Sequence, residues 1–170
     1  MARLSSILSD PKAHSWVPLG LFAIANGALA LALHAQFVLG LEPCILCLYQ
    51  RIPYALIGLV AAVALIRRDP RFRRAVVLIS AICFTVGAAT AFYHVGVEQH
   101  WWASAVCGGD LSGTASTQEL LAGLKAPPEK SCDQIDWSFL GLSMATYNVL
   151  FSGIMAGACL ILVQRMRPVG

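Results

Sequence analysis

The sequence predicts an all-α membrane protein built as a bundle of four transmembrane helices. Charged residues make up 12% of the 170 residues and apolar residues 58%, whereas an ordinary soluble domain has about 25% charged residues. Four segments are almost free of Asp, Glu, Lys and Arg, and each exceeds the roughly 20 residues that cross a bilayer. These segments are residues 13–41, 43–66, 75–97 and 137–164.

One integral membrane domain over residues 1–170 follows from this pattern. We predict its helices at about 15–36, 44–66, 74–97 and 142–164. Loops 37–43 and 98–141 then join the helices on the same side of the membrane. The first segment has a rival interpretation as a cleaved signal peptide, because Ala30-Leu31-Ala32 has a small-x-small pattern. Its uncharged stretch continues to Leu41, beyond the core of about 7–15 residues that a signal peptide has.

The basic residues indicate how the bundle lies across the membrane. Lys and Arg concentrate at both termini and in the loop at 67–74, and only Lys125 and Lys130 lie in the long loop. The positive-inside rule then places both termini and the 67–74 loop in the cytoplasm. Such a topology suits a bacterial inner membrane, with loops 37–43 and 98–141 in the periplasm. The short 67–74 loop joins two membrane helices, so we interpret its arginines as a topology anchor and expect no nucleic-acid partner.

The second segment begins with a Cys-x-x-Cys pair, and an arginine follows four residues after the second cysteine. If a helix begins near Cys44, then Cys44, Cys47 and Arg51 lie at i, i+3 and i+7 on one face. A fixed cation there favours a thiolate on Cys47, and the thiolate is the reactive form of cysteine. An arginine inside an otherwise uncharged segment is by default a functional hypothesis. The alternative is an arginine that only anchors the helix by reaching toward the membrane surface.

The cysteines divide between the outer face and the helices. Four fall on the predicted outer side, where disulfides persist, namely Cys44, Cys47, Cys107 and Cys132. Cys83 and Cys159 fall within helices 3 and 4, where we expect them to pack as small apolar side chains. A zinc site is the alternative for the outer four, but Cys107 and Cys132 lack the paired spacing of a second zinc half-site. We therefore predict two disulfides and no metal.

The two predicted disulfides have different structural alternatives. A Cys44–Cys47 ring is tight, and such motifs tend toward thiol exchange. A Cys107–Cys132 bond would close the glycine-rich outer loop, so it could be a simple staple. If the Cys107–Cys132 bond instead exchanges with Cys44, electrons can pass in two steps from a soluble protein to the membrane. In the same loop, the leucine spacing at 117–124 predicts one short amphipathic helix.

Electrons that reach the membrane need an acceptor. The sequence has no nucleotide-binding fingerprint and no haem-type Cys-x-x-Cys-His motif. The apolar surroundings of Cys47 and Arg51 suit a lipid-soluble quinone, and Arg51 would stabilise the negative charge that develops during its reduction. His94, at the outer end of the third segment, is a candidate to exchange protons with the quinone. Its alternative is an ordinary interface residue.

The motif Pro43-Cys44-x-x-Cys47-x-x-x-Arg51 and the run Asp136-Trp137-Ser138-Phe139-Leu140-Gly141-Leu142 resemble the DsbB family. The four-helix topology and the outer-loop cysteines agree with it over nearly the whole chain. The resemblance implies an inner-membrane oxidoreductase that reoxidises a DsbA-like dithiol oxidase. Its electrons would pass to ubiquinone, or to menaquinone without oxygen, and so sustain disulfide formation in exported proteins.

The same resemblance implies roles for individual residues. Cys107 would be attacked by the reduced partner, Cys132 would then attack Cys44, and the released Cys47 would meet the quinone. Arg51 matches the quinone-site arginine of the family. His94 matches a position near the quinone, and Gln50 stands where some members carry an acid.

Two other functions remain open at this point. A vitamin-K-epoxide-reductase-like enzyme also couples a four-helix bundle and a Cys-x-x-Cys pair to a quinone, but there we expect the pair late in the bundle. The other alternative is a membrane interaction protein with structural disulfides and no enzymatic activity.

Overall fold

A computed structural model describes residues 16–67, 69–104, 106–107 and 130–166 of the chain. Within these residues lie four long helices, α1 (Val17–Phe37), α2 (Ile45–Ile66), α3 (Pro70–Glu98) and α4 (Met144–Arg165). A two-stranded antiparallel hairpin, β1 (Ser138–Phe139) with β2 (Leu142–Ser143), precedes α4. Each helix is long and apolar enough to cross a bilayer. The predicted four-helix membrane bundle is therefore confirmed.

The third helix starts earlier than predicted, at Pro70 rather than at residue 74. Asp69 caps it, because its carboxylate accepts hydrogen bonds from the backbone N–H groups of Arg71 and Phe72 at 3.3 and 3.0 Å. Proline is well suited to the first helical position, where its missing N–H has no partner to lose. The Asp-Pro pair therefore begins a helix here, and α3 carries its basic residues in its first turns.

The fourth helix starts at Met144 rather than at residue 142, because the preceding residues form the hairpin. Leu140 and Gly141 connect its two strands with φ angles of 49° and 77°. Two consecutive residues with positive φ form the tight turn that suits an antiparallel hairpin. Ser143 ends the hairpin and caps α4, accepting a hydrogen bond from the Thr146 backbone N–H at 3.2 Å.

The bundle is held together mainly through α3. It packs most extensively against α4, and α2 packs against both α1 and α3. Ile57, Val76 and Phe84 are fully buried in this core, and Phe84 meets the ring of Tyr54 edge-on at 5.9 Å. The small residues at 87–91 permit the close approach, since a side chain at residue 87 would already touch Ser152 and Pro53.

The outer end of α3 is covered by an aromatic cluster. Trp102 stacks on Tyr93 with a centroid distance of 5.9 Å, and its indole N–H donates to the Tyr93 carbonyl at 3.1 Å. The indole lies directly on Gly96, where a Cβ atom would overlap it. A side chain at this position would therefore have to displace the indole. Residues 117–124, where we predicted a short amphipathic helix, lie outside the described residues.

Candidate active site

The Cys-x-x-Cys pair lies at the start of α2, where Cys44 is the capping residue. Its Sγ accepts a hydrogen bond from the backbone N–H of Cys47 at 3.4 Å, and the two sulfur atoms are 3.1 Å apart without a bond between them. Cys44 is buried. The pKa of its thiol is lowered from 9.0 to about 4, first by the hydrogen bond with the Cys47 thiol and then by His94. In the reduced pair, Cys44 is therefore a thiolate at neutral pH.

His94 reaches this pair from α3. Its Nε2 lies 3.6 Å from Cys44 Sγ, and its Nδ1 lies 2.9 Å from the side-chain nitrogen of Gln50. An amide nitrogen can only donate, so Nδ1 accepts and Nε2 carries the ring proton. The imidazole thus directs an N–H at the Cys44 thiolate. The structure brings His94, predicted from its place at the helix end, into direct contact with the dithiol.

Gln50 belongs to a hydrogen-bonded chain that continues into the bundle. Its carbonyl oxygen accepts from the Asn148 amide of α4 at 2.6 Å. The oxygen of Asn148 in turn accepts from Tyr54 at 2.6 Å and from Ser152 at 2.9 Å. Each donor in this chain of hydrogen bonds faces an acceptor, so the bond from Gln50 fixes the orientation of the imidazole. Sequence reasoning missed Asn148, Tyr54 and Ser152, although the spacing of Asn148 and Ser152 on one face of an apolar helix was a usable signal.

Glu98 is a further residue that sequence reasoning left without a role. It ends α3 one turn beyond His94 and is buried. One carboxylate oxygen lies 3.9 Å from His94 Nε2, and the other accepts a hydrogen bond from the Ser143 hydroxyl at 2.5 Å. The third helix was predicted to end at residue 97, so Glu98 was assigned to the outer loop. The fold instead brings this carboxylate next to the dithiol.

Arg51 lies one turn past Cys47 on α2, but its contacts differ from the prediction. Its Nη1 donates to the side-chain oxygen of Gln36 in α1 at 2.7 Å. The thiolate of the free dithiol is on Cys44, where Cys47 and His94 stabilise it. The prediction that Arg51 favours a thiolate on Cys47 is therefore wrong for this state of the pair. Arg51 instead ties α2 to α1.

The outer loop places a disulfide against the dithiol. Cys107 and Cys132 are bonded, with their Cα atoms 5.8 Å apart. Cys132 is buried in a cluster with Cys44, Leu46 and Val97, whereas Cys107 remains partly exposed at its margin. The four cysteines predicted to act together are therefore neighbours in the fold.

A cavity of about 460 Å³ lies beside the dithiol, between α1, α2 and α4. Cys44, Cys47, Arg51 and His94 all line it. The rest of its wall is mostly apolar, with aliphatic side chains from α1 and the ring of Phe151 from α4. It has the volume and the few convergent polar groups that are typical of small-molecule sites.

The remaining two cysteines lie away from this site. Cys159 is buried in the main apolar core, and Cys83 packs against the same core. Neither is bonded to another cysteine. Their positions agree with the prediction that they serve as small apolar packing residues.

A disulfide buried against a reduced cysteine pair, inside a bundle that spans a membrane, defines a membrane thiol–disulfide oxidoreductase. Comparison with known proteins gives the family. The family model "Disulfide bond formation protein DsbB" matches residues 14–162, and the chain belongs to the DsbB family. This membership sets aside the vitamin-K-epoxide-reductase-like alternative and the non-enzymatic one.

Individual relatives cover most of both chains. "Disulfide bond formation protein B" of Aromatoleum aromaticum is 32% identical over 155 residues, which are 88% of this chain and 92% of the relative. The protein of the same name from a Polaromonas species is 36% identical over 145 residues, or 81% and 83% of the two chains. That of Idiomarina loihiensis is 36% identical over 140 residues, or 79% and 77%. The chain is thus similar to membrane disulfide bond formation proteins along nearly its whole length.

Proposed function

We propose that this protein reoxidises a periplasmic, DsbA-like thioredoxin-fold dithiol protein and passes the electrons to a membrane quinone, either ubiquinone or, without oxygen, menaquinone. The position of the loop disulfide carries the proposal. Cys132 is buried against Cys44, while Cys107 is partly exposed. An exchange centre needs one sulfur that a soluble partner can reach and another beside the next cysteine pair. This disulfide offers both.

The first exchange takes place at the partly exposed sulfur. A thiolate of the reduced partner attacks Cys107, a mixed disulfide forms, and the Cys107–Cys132 bond breaks with its electron pair on Cys132. Cys132 then attacks Cys44 of an oxidised Cys44–Cys47 pair, and Cys47 leaves as a thiolate. At this stage Cys47, not Cys44, carries the negative charge, on the same cavity wall as Arg51.

The second half of the exchange closes the loop again. The second thiolate of the partner releases the oxidised partner and leaves Cys107 as a thiolate. Cys107 attacks Cys132, the loop disulfide re-forms, and Cys44 is released. The partner has lost two electrons and two protons, and the Cys44–Cys47 pair has gained them. This end state has the cysteine bonding of the structure, in which the loop disulfide is closed and Cys44 and Cys47 are free.

A bound quinone supplies an acceptor for two electrons and two protons, and so restores the Cys44–Cys47 disulfide. The cavity residues fit such a ligand, because the wall is apolar and the polar groups converge at the dithiol. Arg51 offers a planar set of N–H donors to an oxygen that carries developing negative charge. His94 holds a proton at Nε2 beside Cys44, and Glu98 keeps a carboxylate within 3.9 Å of it.

The proposed orientation puts both termini in the cytoplasm of a bacterium and the site at the periplasmic face of its inner membrane. Its support is the uneven distribution of basic residues, of which Lys125 and Lys130 alone lie in the long outer loop. The course of α3 agrees, since Arg71, Arg73 and Arg74 lie in its first turns, at the opposite end from His94.

A partner protein with a single active-site cysteine tests the order of exchange. Mixed with the oxidised protein, it should form a mixed disulfide whose peptide map contains Cys107. The Cys83→Ala variant is the matched control and should give the same adduct in the same yield. A mixed disulfide that forms on Cys44 or Cys132 instead would contradict the proposed path.

A further inference from the structure

The reduced dithiol and His94 bring three metal-binding side chains together. Cys44 Sγ, Cys47 Sγ and a ring nitrogen of His94 all lie within 4.8 Å of one another. Cys44 and His94 are buried, and Cys47 is partly buried. Two thiolates and an imidazole are the donor set that Zn²⁺ prefers. We propose that the reduced protein binds one Zn²⁺ ion at Cys44, Cys47 and His94, and that this ion blocks reoxidation of the dithiol.

The spacing of the donor atoms fits tetrahedral zinc. With Zn–S bonds of about 2.3 Å and Zn–N bonds of about 2.0–2.1 Å, a tetrahedral site needs S···N separations of about 3.6 Å and an S···S separation of about 3.8 Å. Cys44 Sγ and His94 Nε2 are already 3.6 Å apart. The two sulfurs, 3.1 Å apart, need to separate by about 0.7 Å to reach that value. A small rotation of the partly buried Cys47 side chain provides this.

The fourth zinc position is left to water, because Glu98 is not among the residues whose ligand atoms all lie within 4.8 Å of one another. The Oε1 atom of Glu98 lies 3.9 Å from His94 Nε2, so Glu98 places a carboxylate beside the site without binding the metal. Its other oxygen is held by the Ser143 hydroxyl, so the carboxylate is oriented from the side away from the cluster. A hydrogen-bonded group held close to the ligands in this way is typical of metal sites in proteins.

Gln50 and Asn148 are able to support the metal-bound imidazole. With Nε2 on the metal, Nδ1 carries the proton and needs an acceptor. A half-turn of the Gln50 amide places its oxygen there, and the same half-turn of Asn148 restores the bond between the two amides. Tyr54 and Ser152, which touch Asn148, have hydroxyls that both donate and accept. The reversal gives up the hydrogen bond from the Gln50 amide to the Leu46 carbonyl, at 3.2 Å, and keeps the chain's connection to α4.

The proposed site exists only in the reduced state. Cys44 is already a thiolate, so binding converts the Cys47 thiol to a zinc thiolate and releases one proton, with no change in oxidation state. A Cys44–Cys47 disulfide has no thiolate to offer, so the oxidised protein does not hold the ion. Conversely, zinc-bound sulfur atoms must be released before they can form a disulfide. The block of turnover rests on the proposed function, whereas the metal site itself does not.

Cobalt spectroscopy tests the site separately from the activity. Co²⁺ is added to the full chain in detergent, after reduction of a Cys107→Ser/Cys132→Ser variant that removes the loop thiols. We expect one Co²⁺ per chain, thiolate-to-metal charge-transfer absorption and the intense visible bands of a tetrahedral ion, all of which Zn²⁺ should abolish by displacement. His94→Ala should weaken binding by at least about tenfold, since even the loss of a supporting residue costs about 10- to 100-fold.

Matched variants and the oxidised protein complete the test. Cys83→Ala/Cys159→Ala should bind Co²⁺ as tightly as the parent, and the oxidised protein should give no charge-transfer band. Equal spectra from oxidised and reduced protein, or a spectrum that survives Cys47→Ser unchanged, would overturn the proposed site. If Co²⁺ binds as expected but the protein oxidises no dithiol, the site stands and the proposed function fails. If turnover is intact and Zn²⁺ does not inhibit it, the proposed block is wrong.

Discussion

Arg51 can be tested together with the residue that holds it. Its guanidinium donates one hydrogen bond to Gln36 at 2.7 Å, and the residue lines the cavity. A hydrogen bond from a charged donor contributes about 1.5–3 kcal/mol. Since about 1.4 kcal/mol is a factor of ten, we expect Arg51→Ala to lower kcat/KM for quinone by about 10- to 150-fold. Arg51→Lys keeps the charge but loses the planar fork, so its loss should be smaller.

Gln36→Leu separates positioning from direct binding. If Gln36 acts only by holding the guanidinium, then Gln36→Leu costs less than Arg51→Ala and costs nothing further when Arg51 is already alanine. The two changes should therefore be non-additive, with a coupling of about 0.5–3 kcal/mol, the range for residues in contact.

Single-turnover reduction of a short-chain quinone by the reduced protein is the assay. Exchange of the loop disulfide with the soluble partner should be unchanged in every Arg51 and Gln36 variant, because that step takes place outside the cavity. Arg67→Ala, at the opposite end of α2, is the matched control for loss of an arginine. Wild-type quinone affinity and rate in Arg51→Ala would refute the reasoning and would make Arg51 an anchor between α1 and α2.

Three further predictions follow from the same contacts. The pKa of Cys44 is lowered to about 4, so alkylation of Cys44 in the reduced protein should stay fast below neutral pH and slow only as the pH falls through about 4. His94→Ala should raise the midpoint of this pH profile. A midpoint near 9 in the parent protein would contradict the assigned thiolate. Gly96→Ala should destabilise the fold by about 1–3 kcal/mol, because its methyl group overlaps Trp102; an unchanged melting temperature would show that the indole moves freely. Cys83→Ala and Cys159→Ala should leave turnover intact, and a folded variant without activity would show that the six cysteines have been assigned incorrectly.

The helices were predictable because the signal for them is local. A run of about 20 residues without charge has few alternatives to a transmembrane helix, and the spacing of Cys44, Cys47 and Arg51 is local in the same way. Helix starts were less predictable, because they depend on short-range hydrogen bonds. We predicted that the third helix starts at residue 74, yet the Asp69 carboxylate caps a helix that starts at Pro70.

The supporting residues of the site could not be derived from the sequence, because they meet only in the folded bundle. Gln50 and Asn148 are 98 residues apart in sequence, and their side chains are 2.6 Å apart in space. Glu98 and Ser143 come together only because α3 and α4 pack side by side. Sequence spacing predicted that Arg51 lies next to a thiolate. In the fold, the side chain next to the thiolate is His94, which comes from another helix.

Quinone-dependent oxidation of a soluble dithiol by the purified protein tests the central claim most directly. The reduced DsbA-like partner, the protein in detergent and a short-chain ubiquinone are mixed, and partner disulfide and quinone loss are measured together. We expect one quinone to be consumed for each partner disulfide formed, and we expect Cys44→Ser to abolish both signals. Partner oxidation that proceeds at the same rate without quinone, or in Cys44→Ser, would contradict the account.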